Sequence, residues 1–189
     1  PLGNSPRSIV AWIKPDDSSL INGIIYHGRD DCFQGNLFGM SRGRSYLGND
    51  NLGFWGGCRD YPSSLIIPSN QWSFVALIYD GLNIQFHVDG ESETNAIGVL
   101  YTRSSRLWIG AETLNDGASF RDFFKGSIDD VRFYNRALSA TEVAQLYAYE
   151  GGFCSPHRAT ATAMVVNGFV VGSTITDGGC GYKNAPLVL

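Results

Sequence analysis

The chain has 189 residues, 43% of them hydrophobic and 17% charged, with a net charge of −4, enough apolar content for one sizeable core plus a fragment of a second domain. Arginine (11) outnumbers lysine (3), but the arginines are scattered, so the charge pattern argues against nucleic acid or an anionic membrane surface as partner. No apolar run reaches the roughly 18 residues of a membrane helix, and "PLGNSPRSIVAW" lacks the basic start and apolar centre of a secretory leader.

Short β-type segments alternate with turn signals along the chain. "SIVAWIKP" is an apolar strand halted by Pro15, and "NGIIYHG" follows Asn22-Gly23. "NLFGMS", "SYLG" and "NLGFWGG" are short pieces inside a glycine-rich, aromatic stretch from Cys32 to Tyr61. "SLIIP" then leads into "QWSFVALIYDGLNIQFHVDG", two runs around Asp80-Gly81, which is a strong hairpin signal. The first run is apolar on both faces, as an inner strand is. In the second, Ile84, Phe86 and Val88 alternate with Gln85, His87 and Asp89, which predicts one buried face and one wet face carrying His87. "GESETN" reads as a polar turn. "GVLYT", "RLWIGA" and "GSIDDVRFYN" are further strands, and Glu112 and Asp116 fall in a predicted loop.

The one convincing helix is "LSATEVAQLYAYE", where Ser139 and Glu142 make a capping box. After Gly151-Gly152 the composition turns to small and β-branched residues. Asn167-Gly168 joins two strands there, and Asp177-Gly178-Gly179 turns again. The expected organisation is a first domain over 1–152, all-β, an antiparallel jelly-roll sandwich with one short C-terminal helix, and part of a small β-hairpin module over 153–189.

The four cysteines, Cys32, Cys58, Cys154 and Cys180, include no C-x-x-C pair, and with three histidines they show no zinc spacing. Two disulfides in an oxidising compartment are expected. Of the three pairings, Cys32–Cys58 and Cys154–Cys180 are favoured, because each closes a loop of about 25 residues, contributing about 3 kcal/mol on the chain-entropy account. No N-x-S/T sequon is present, which leans towards a bacterial secreted protein.

Four stretches in order carry a family resemblance: "PRSIVAWIKP", "QWSFVALIYDGLNIQFHVDG", "RLWIGA" and "GSIDDVRFYNRALSATEVAQLY". Together they resemble the LamG-like jelly-roll domains of the concanavalin A-like lectin superfamily, over roughly residues 6–150. Such domains usually begin with another strand upstream of the segment matched by "PRSIVAWIKP". Here that strand is either missing or lies before Pro1; a missing strand would leave an exposed sheet edge, unless the C-terminal module covers it. The tail resembles short β-repeats appended to secreted bacterial surface proteins. The resemblance implies binding of glycans or other proteins, often with a structural or bridging calcium. Some relatives are glycoside hydrolases, so the site has to decide.

Hydrolysis needs two carboxylates at a defined separation, and the E-x-D-x-x-E strand pattern is absent. No G-x-S-x-G appears either, so the chain is expected to be non-catalytic. For calcium the candidates are Asp129 and Asp130, where an inward carboxylate must be paired or metal-bound. The alternative is a salt bridge to Arg132 or Arg136. Trp12, Trp72 and Trp108 sit in apolar strands and are expected in the core. Trp55 either stacks a sugar ring beside Arg59, Asp60 and Tyr61, or caps the sandwich beside a Cys32–Cys58 bridge. The predicted ligand set is Arg42, Arg44, Tyr46, Asp50, Trp55, Arg59 and Tyr61, on loops of the kind that carry recognition in sandwiches. The expected function is carbohydrate or surface-ligand binding within a larger secreted or cell-surface bacterial protein such as an adhesin, with a spacer domain as runner-up and a hydrolase or lyase third.

Overall fold

The structure is a computed structural model that describes residues 1–16, 22–29, 37–44, 48–103, 106–114, 117–150 and 160–177. The chain divides into two compact units, Pro1–Val143 and Ala144–Leu189.

The first unit carries β1 (Arg7–Pro15), β2 (Asn22–His27), β3 (Phe38–Arg44), β4 (Gly48–Trp55), β5 (Tyr61–Ile66), β6 (Ser73–Tyr79), β7 (Asn83–Val88), β8 (Glu91–Ala96), β9 (Leu107–Ile109), β10 (Glu112–Leu114), β11 (Ser119–Arg121) and β12 (Gly126–Tyr134). Two five-stranded sheets stack, one ordered β12-β1-β6-β7-β8 and the other β5-β4-β3-β2-β9, with β10-β11 as a separate pair. All strand pairs are antiparallel, so the architecture is an antiparallel jelly-roll sandwich.

Strand pattern explains position. The doubly apolar β6 lies inside its sheet between β1 and β7, with every residue buried. Asp80 closes the β6–β7 turn by accepting from the backbone N–H groups of Leu82 (2.8 Å) and Asn83 (2.7 Å). Asp89 (φ 49°) and Gly90 (φ 96°) then give the left-handed pair that a tight β7–β8 turn requires. Between the sheets, Ile9, Ala11, Leu77 and Phe86 share one core with Ile25, Phe38, Met40 and Phe54. Each large apolar side chain buried this way stabilises the fold by about 1.5–3 kcal/mol. His27 is enclosed in the same interior against Phe133, with ring centroids 4.8 Å apart. Burial, aided by the nearby Arg7 charge, pushes its pKa down to about 4.

Several expectations change. His87 is buried together with Val10 and Ala76 of the same outer-face row, while Ser92 at the end of that row is exposed. Trp72 lies before β6 and is 46% exposed, so it is a surface residue and not core. "GESETN" is not a turn but β8, and Glu93 ties that edge to the opposite sheet by accepting from Ser64 N (2.7 Å) and Ser64 Oγ (2.6 Å). "GVLYT" forms no strand. Thr102 makes only an isolated bridge to Gly3, while Leu100 is buried. The predicted strand after it is β9, one edge of its sheet, and the long β12 forms one edge of the other sheet, opposite β8. Ile128, Val131 and Phe133 on β12 are only partly buried, and Leu107 and Ile109 on β9 are exposed.

The helix α1 spans Ala140–Glu150. Its capping box forms as expected: Glu142 N donates to Ser139 Oγ (3.3 Å) and Ser139 N donates back to Glu142 Oε2 (2.8 Å). In the second unit β13 (Thr160–Val166) and β14 (Phe169–Asp177) pair as a hairpin. Its turn is Asn167 (φ 50°) and Gly168 (φ 83°).

Candidate functional site

Strand register places Trp108, Tyr26, Gly39 and Trp55 in one row across β9, β2, β3 and β4. The row has the opposite side-chain parity to Phe38, Met40 and Phe54 of the core, so it occupies the outer face of that sheet. Gly39 is required there. A Cβ at this position would stand 2.5 Å from Tyr26 Cδ1 and Cε1, so the glycine lets the tyrosine ring lie across β3. Tyr26, Leu37 and Trp55 form a second apolar cluster, with Trp108 packed against it.

The β10–β11 pair is laid against this face. Gly23 N donates to Asp122 O (2.7 Å), and a Cβ on Gly23 would meet Glu112 N at 2.7 Å. Phe120 sets its edge against Trp108 with centroids 5.2 Å apart, and the Arg121 guanidinium lies 5.7 Å from the Trp55 ring centroid. Arg121 donates from Nη2 to Glu112 Oε1 (2.6 Å) and from Nε to Glu112 Oε2 (3.0 Å), a bidentate pair. Asp122 Oδ2 stands 3.6 Å from Arg121 Nε.

Electrostatics follow from burial. Glu112 has a fully enclosed side chain, while its partner Arg121 is 46% exposed. Desolvation pushes the Glu112 carboxyl up to about 7. Arg121 opposes this shift and the Asp122 carboxylate adds to it. Tyr26 is pushed well above its usual value by burial, with Glu112 and Asp122 adding to the effect. Among the described residues, Trp108 Nε1 and Thr113 Oγ1 are buried without a hydrogen-bond partner. Two aromatic rings reach solvent alongside Arg121: Phe120 is 41% exposed and Phe123 62%. An aromatic surface beside charged hydrogen-bonding groups can stack a ring and hold its hydroxyls.

Of the residues expected to bind ligand, Arg42 and Asp50 meet each other. Arg42 is fully buried, donating from Nε to Ile67 O (3.0 Å) and from Nη2 to Asp50 Oδ1 (2.5 Å) and Ser69 Oγ (2.7 Å). Arg42 and Asp50 therefore brace strand ends. Arg59 donates to the Val99 carbonyl (2.8 Å), and Tyr61 is partly buried against the core. Trp55 is 8% exposed, beneath Arg121, so its ring face is already covered. Tyr46 and the side chain of Arg44 lie outside the described residues, as do Asp116, Cys32, Cys154 and Cys180. Cys58 is disulfide-bonded. Trp108, expected in the core, belongs instead to the outer aromatic row.

Asp129 and Asp130 are exposed on β12. Asp129 Oδ1 accepts from Asp130 N (2.8 Å), and Asp130 Oδ1 accepts from Arg132 Nη2 (3.2 Å). Among the described residues no three His, Cys, Asp or Glu side chains gather to hold a metal ion.

Sequence reading passed over Tyr26, Glu112, Phe120, Arg121 and Phe123. One signal was available: "NGIIYH" is apolar at successive positions, so both faces of that strand had to be covered.

Two stacked antiparallel sheets with an outer aromatic face define a lectin-like jelly-roll domain. The chain belongs to the Concanavalin A-like lectin/glucanases superfamily, whose profile matches residues 1–144. Similar solved structures include a candidate carbohydrate-binding protein from Bacteroides ovatus (TM-score 0.59, 21% identity), of which the chain covers 41% with 76% of its own length. A second is domain 4 of AbnA, an extracellular arabinanase from Geobacillus stearothermophilus, in complex with arabinotriose (TM-score 0.59, 22% identity, 78% of this chain and 68% of that one). A third is the CBM40 of Ruminococcus gnavus IT-sialidase bound to α2,3-sialyllactose (TM-score 0.59, 19% identity, 76% and 83%). At these identities the likeness is one of fold. No curated protein matches the chain.

Proposed function

We propose that the first unit is a non-catalytic glycan-recognition module of a larger secreted or surface-displayed bacterial protein. A sugar ring stacks on Phe120 and Phe123 beside the edge of Trp108, and Arg121 and Asp122 meet its hydroxyls. The observation that carries this reading is that two exposed aromatics, Phe120 and Phe123, flank Arg121 and Asp122 of the charged cluster along the chain, with Phe120 packed on Trp108 of the outer sheet face. The sugar ligands named for the arabinanase and sialidase domains support it.

Binding is favoured over hydrolysis because Glu112, the acid with the raised pKa, is fully enclosed and both its oxygens accept from Arg121. A general acid has to reach the glycosidic oxygen. Calcium is not needed at this face in the proposal, since the hydrogen-bonding groups are side chains already in place.

A glycan array, run with calcium and with chelator, tests the reading. Binding should be insensitive to chelator. It should weaken about tenfold or more for Phe120→Ala and Phe123→Ala, corresponding to roughly 1.4 kcal/mol of lost ring contact. Trp72→Ala, which removes an exposed aromatic elsewhere, should leave it unchanged. Silence across diverse glycans from folded protein would favour a spacer domain.

A further inference from the structure

The ligand class is written in the charge ratio of the cluster. One guanidinium, Arg121, is claimed by two carboxylates: bidentate by Glu112 at 2.6 and 3.0 Å, and at 3.6 Å by Asp122. Facing Glu112 are Arg121 from β11, Asp122 just beyond that strand and Tyr26 from β2. Trp55 of β4 lies under the guanidinium and adds no charge.

We propose that this face takes neutral sugars and rejects acidic ones, with Glu112 and Asp122 as the residues that enforce the choice. The inference rests on the glycan-recognition reading above. Stacking on Phe120 and Phe123 needs only the C–H face of a ring, which neutral and acidic sugars share. Discrimination must therefore come from the charged groups. An acidic sugar would have to draw Arg121 away from Glu112, leaving an enclosed carboxylate without its counter-charge. Its own carboxylate or sulfate would also approach Asp122, which is 28% exposed. Specificity of this kind comes from a penalty on the wrong ligand as much as from contacts to the right one.

The penalty can be lifted by a proton. Once Glu112 is neutral, Arg121 can leave it without stranding a charge, so rejection should fade on acidification. The Glu112 carboxyl titrates at about 7, whereas sugar carboxylates stay ionised down to about pH 4. A window therefore exists in which the gate changes while the charge of the sugar does not. Glu112 acts as a positioning residue through Arg121 and does not itself touch the sugar.

The test measures neutral oligosaccharides against uronic-acid-containing and sulfated ones, at about pH 8.5 and about pH 5.5, on either side of that titration. The wild-type protein should bind neutral sugars alike at both pH values. It should bind acidic ones at least about tenfold more tightly at the lower pH, a tenfold change being roughly 1.4 kcal/mol. Glu112→Gln should bind acidic sugars at the higher pH as the wild type does at the lower, with a flat pH profile. Asp122→Asn keeps the Glu112–Arg121 pair. It should gain acidic binding while remaining pH-dependent, and it serves if Glu112→Gln fails to fold. Acidic sugars bound by the wild type at about pH 8.5 as tightly as neutral ones would overturn this inference and leave the glycan-binding reading standing. So would a Glu112→Gln variant that folds and keeps the wild-type profile. If neither class binds at either pH, both fall together.

Discussion

Arg42→Ala should destabilise the first unit by about 2–4 kcal/mol, read as a lower urea midpoint, with any glycan binding retained at temperatures where the variant stays folded. The guanidinium is fully buried where β3 meets the segment after β5. It holds the Ile67 carbonyl, Ser69 Oγ and the Asp50 carboxylate together. Truncation removes these bonds and leaves a cavity the size of a long side chain. The cost stays below that of stranding a buried charge, because Asp50 is 49% exposed and can be solvated. Arg42→Lys should recover only part of the loss, since one ammonium cannot reproduce the planar fork of donors. A variant with an unchanged midpoint that loses binding would return Arg42 to the ligand site.

The second large effect is expected at Gly126, where β12 begins beside the end of β1. Its φ of 137° is a conformation L residues avoid, and a Cβ there would stand 2.1 Å from Lys14 O and 2.9 Å from Pro15 Cα. Both obstacles are backbone, held by the Pro15–Gly126 and Lys14–Ser127 pairings, so neither can swing aside as a side chain would. Gly126→Ala should cost about 3 kcal/mol or more, by strain and overpacking together. Gly110→Ala separates the two causes. It too has a positive φ, 81°, but nothing lies within 4 Å of its Cβ position. It should cost only about 1–2 kcal/mol. Thermal melts of the two variants read the difference; equal losses would mean that crowding at Gly126 contributes nothing.

The frame of the molecule was readable because it is local. The Asp80 turn, the doubly apolar β6 and the Ser139–Glu142 cap each depend on residues within a few positions of one another, and each stands where its pattern placed it. The site was not readable because it is assembled across sequence. Glu112 looked like a loop acid, yet Arg121 nine residues on and Tyr26 far upstream make it an enclosed partner. Arg42 and Asp50 looked like a polar tip. Their eight-residue separation closes into an internal brace only when β3 and β4 pair. Trp108 and Trp72 both sit in apolar company in the sequence. Only the register of β9 turns Trp108 onto the outer face, and only the break before β6 leaves Trp72 at the surface. His87 alternates with apolar residues as a wet-face residue does, but alternation does not reveal what covers a sheet from outside.

The most direct test of where a sugar binds is a titration of nitrogen-15-labelled protein with the strongest neutral glycan found, following the four tryptophan indole signals. Trp108, whose ring packs against Phe120 and whose Nε1 is buried, should shift in proportion to occupancy, while Trp12 and Trp72 stay still. Saturable shifts confined to Trp72 or to the backbone between Arg42 and Tyr61, with Trp108 unmoved, would place the sugar elsewhere and contradict the account.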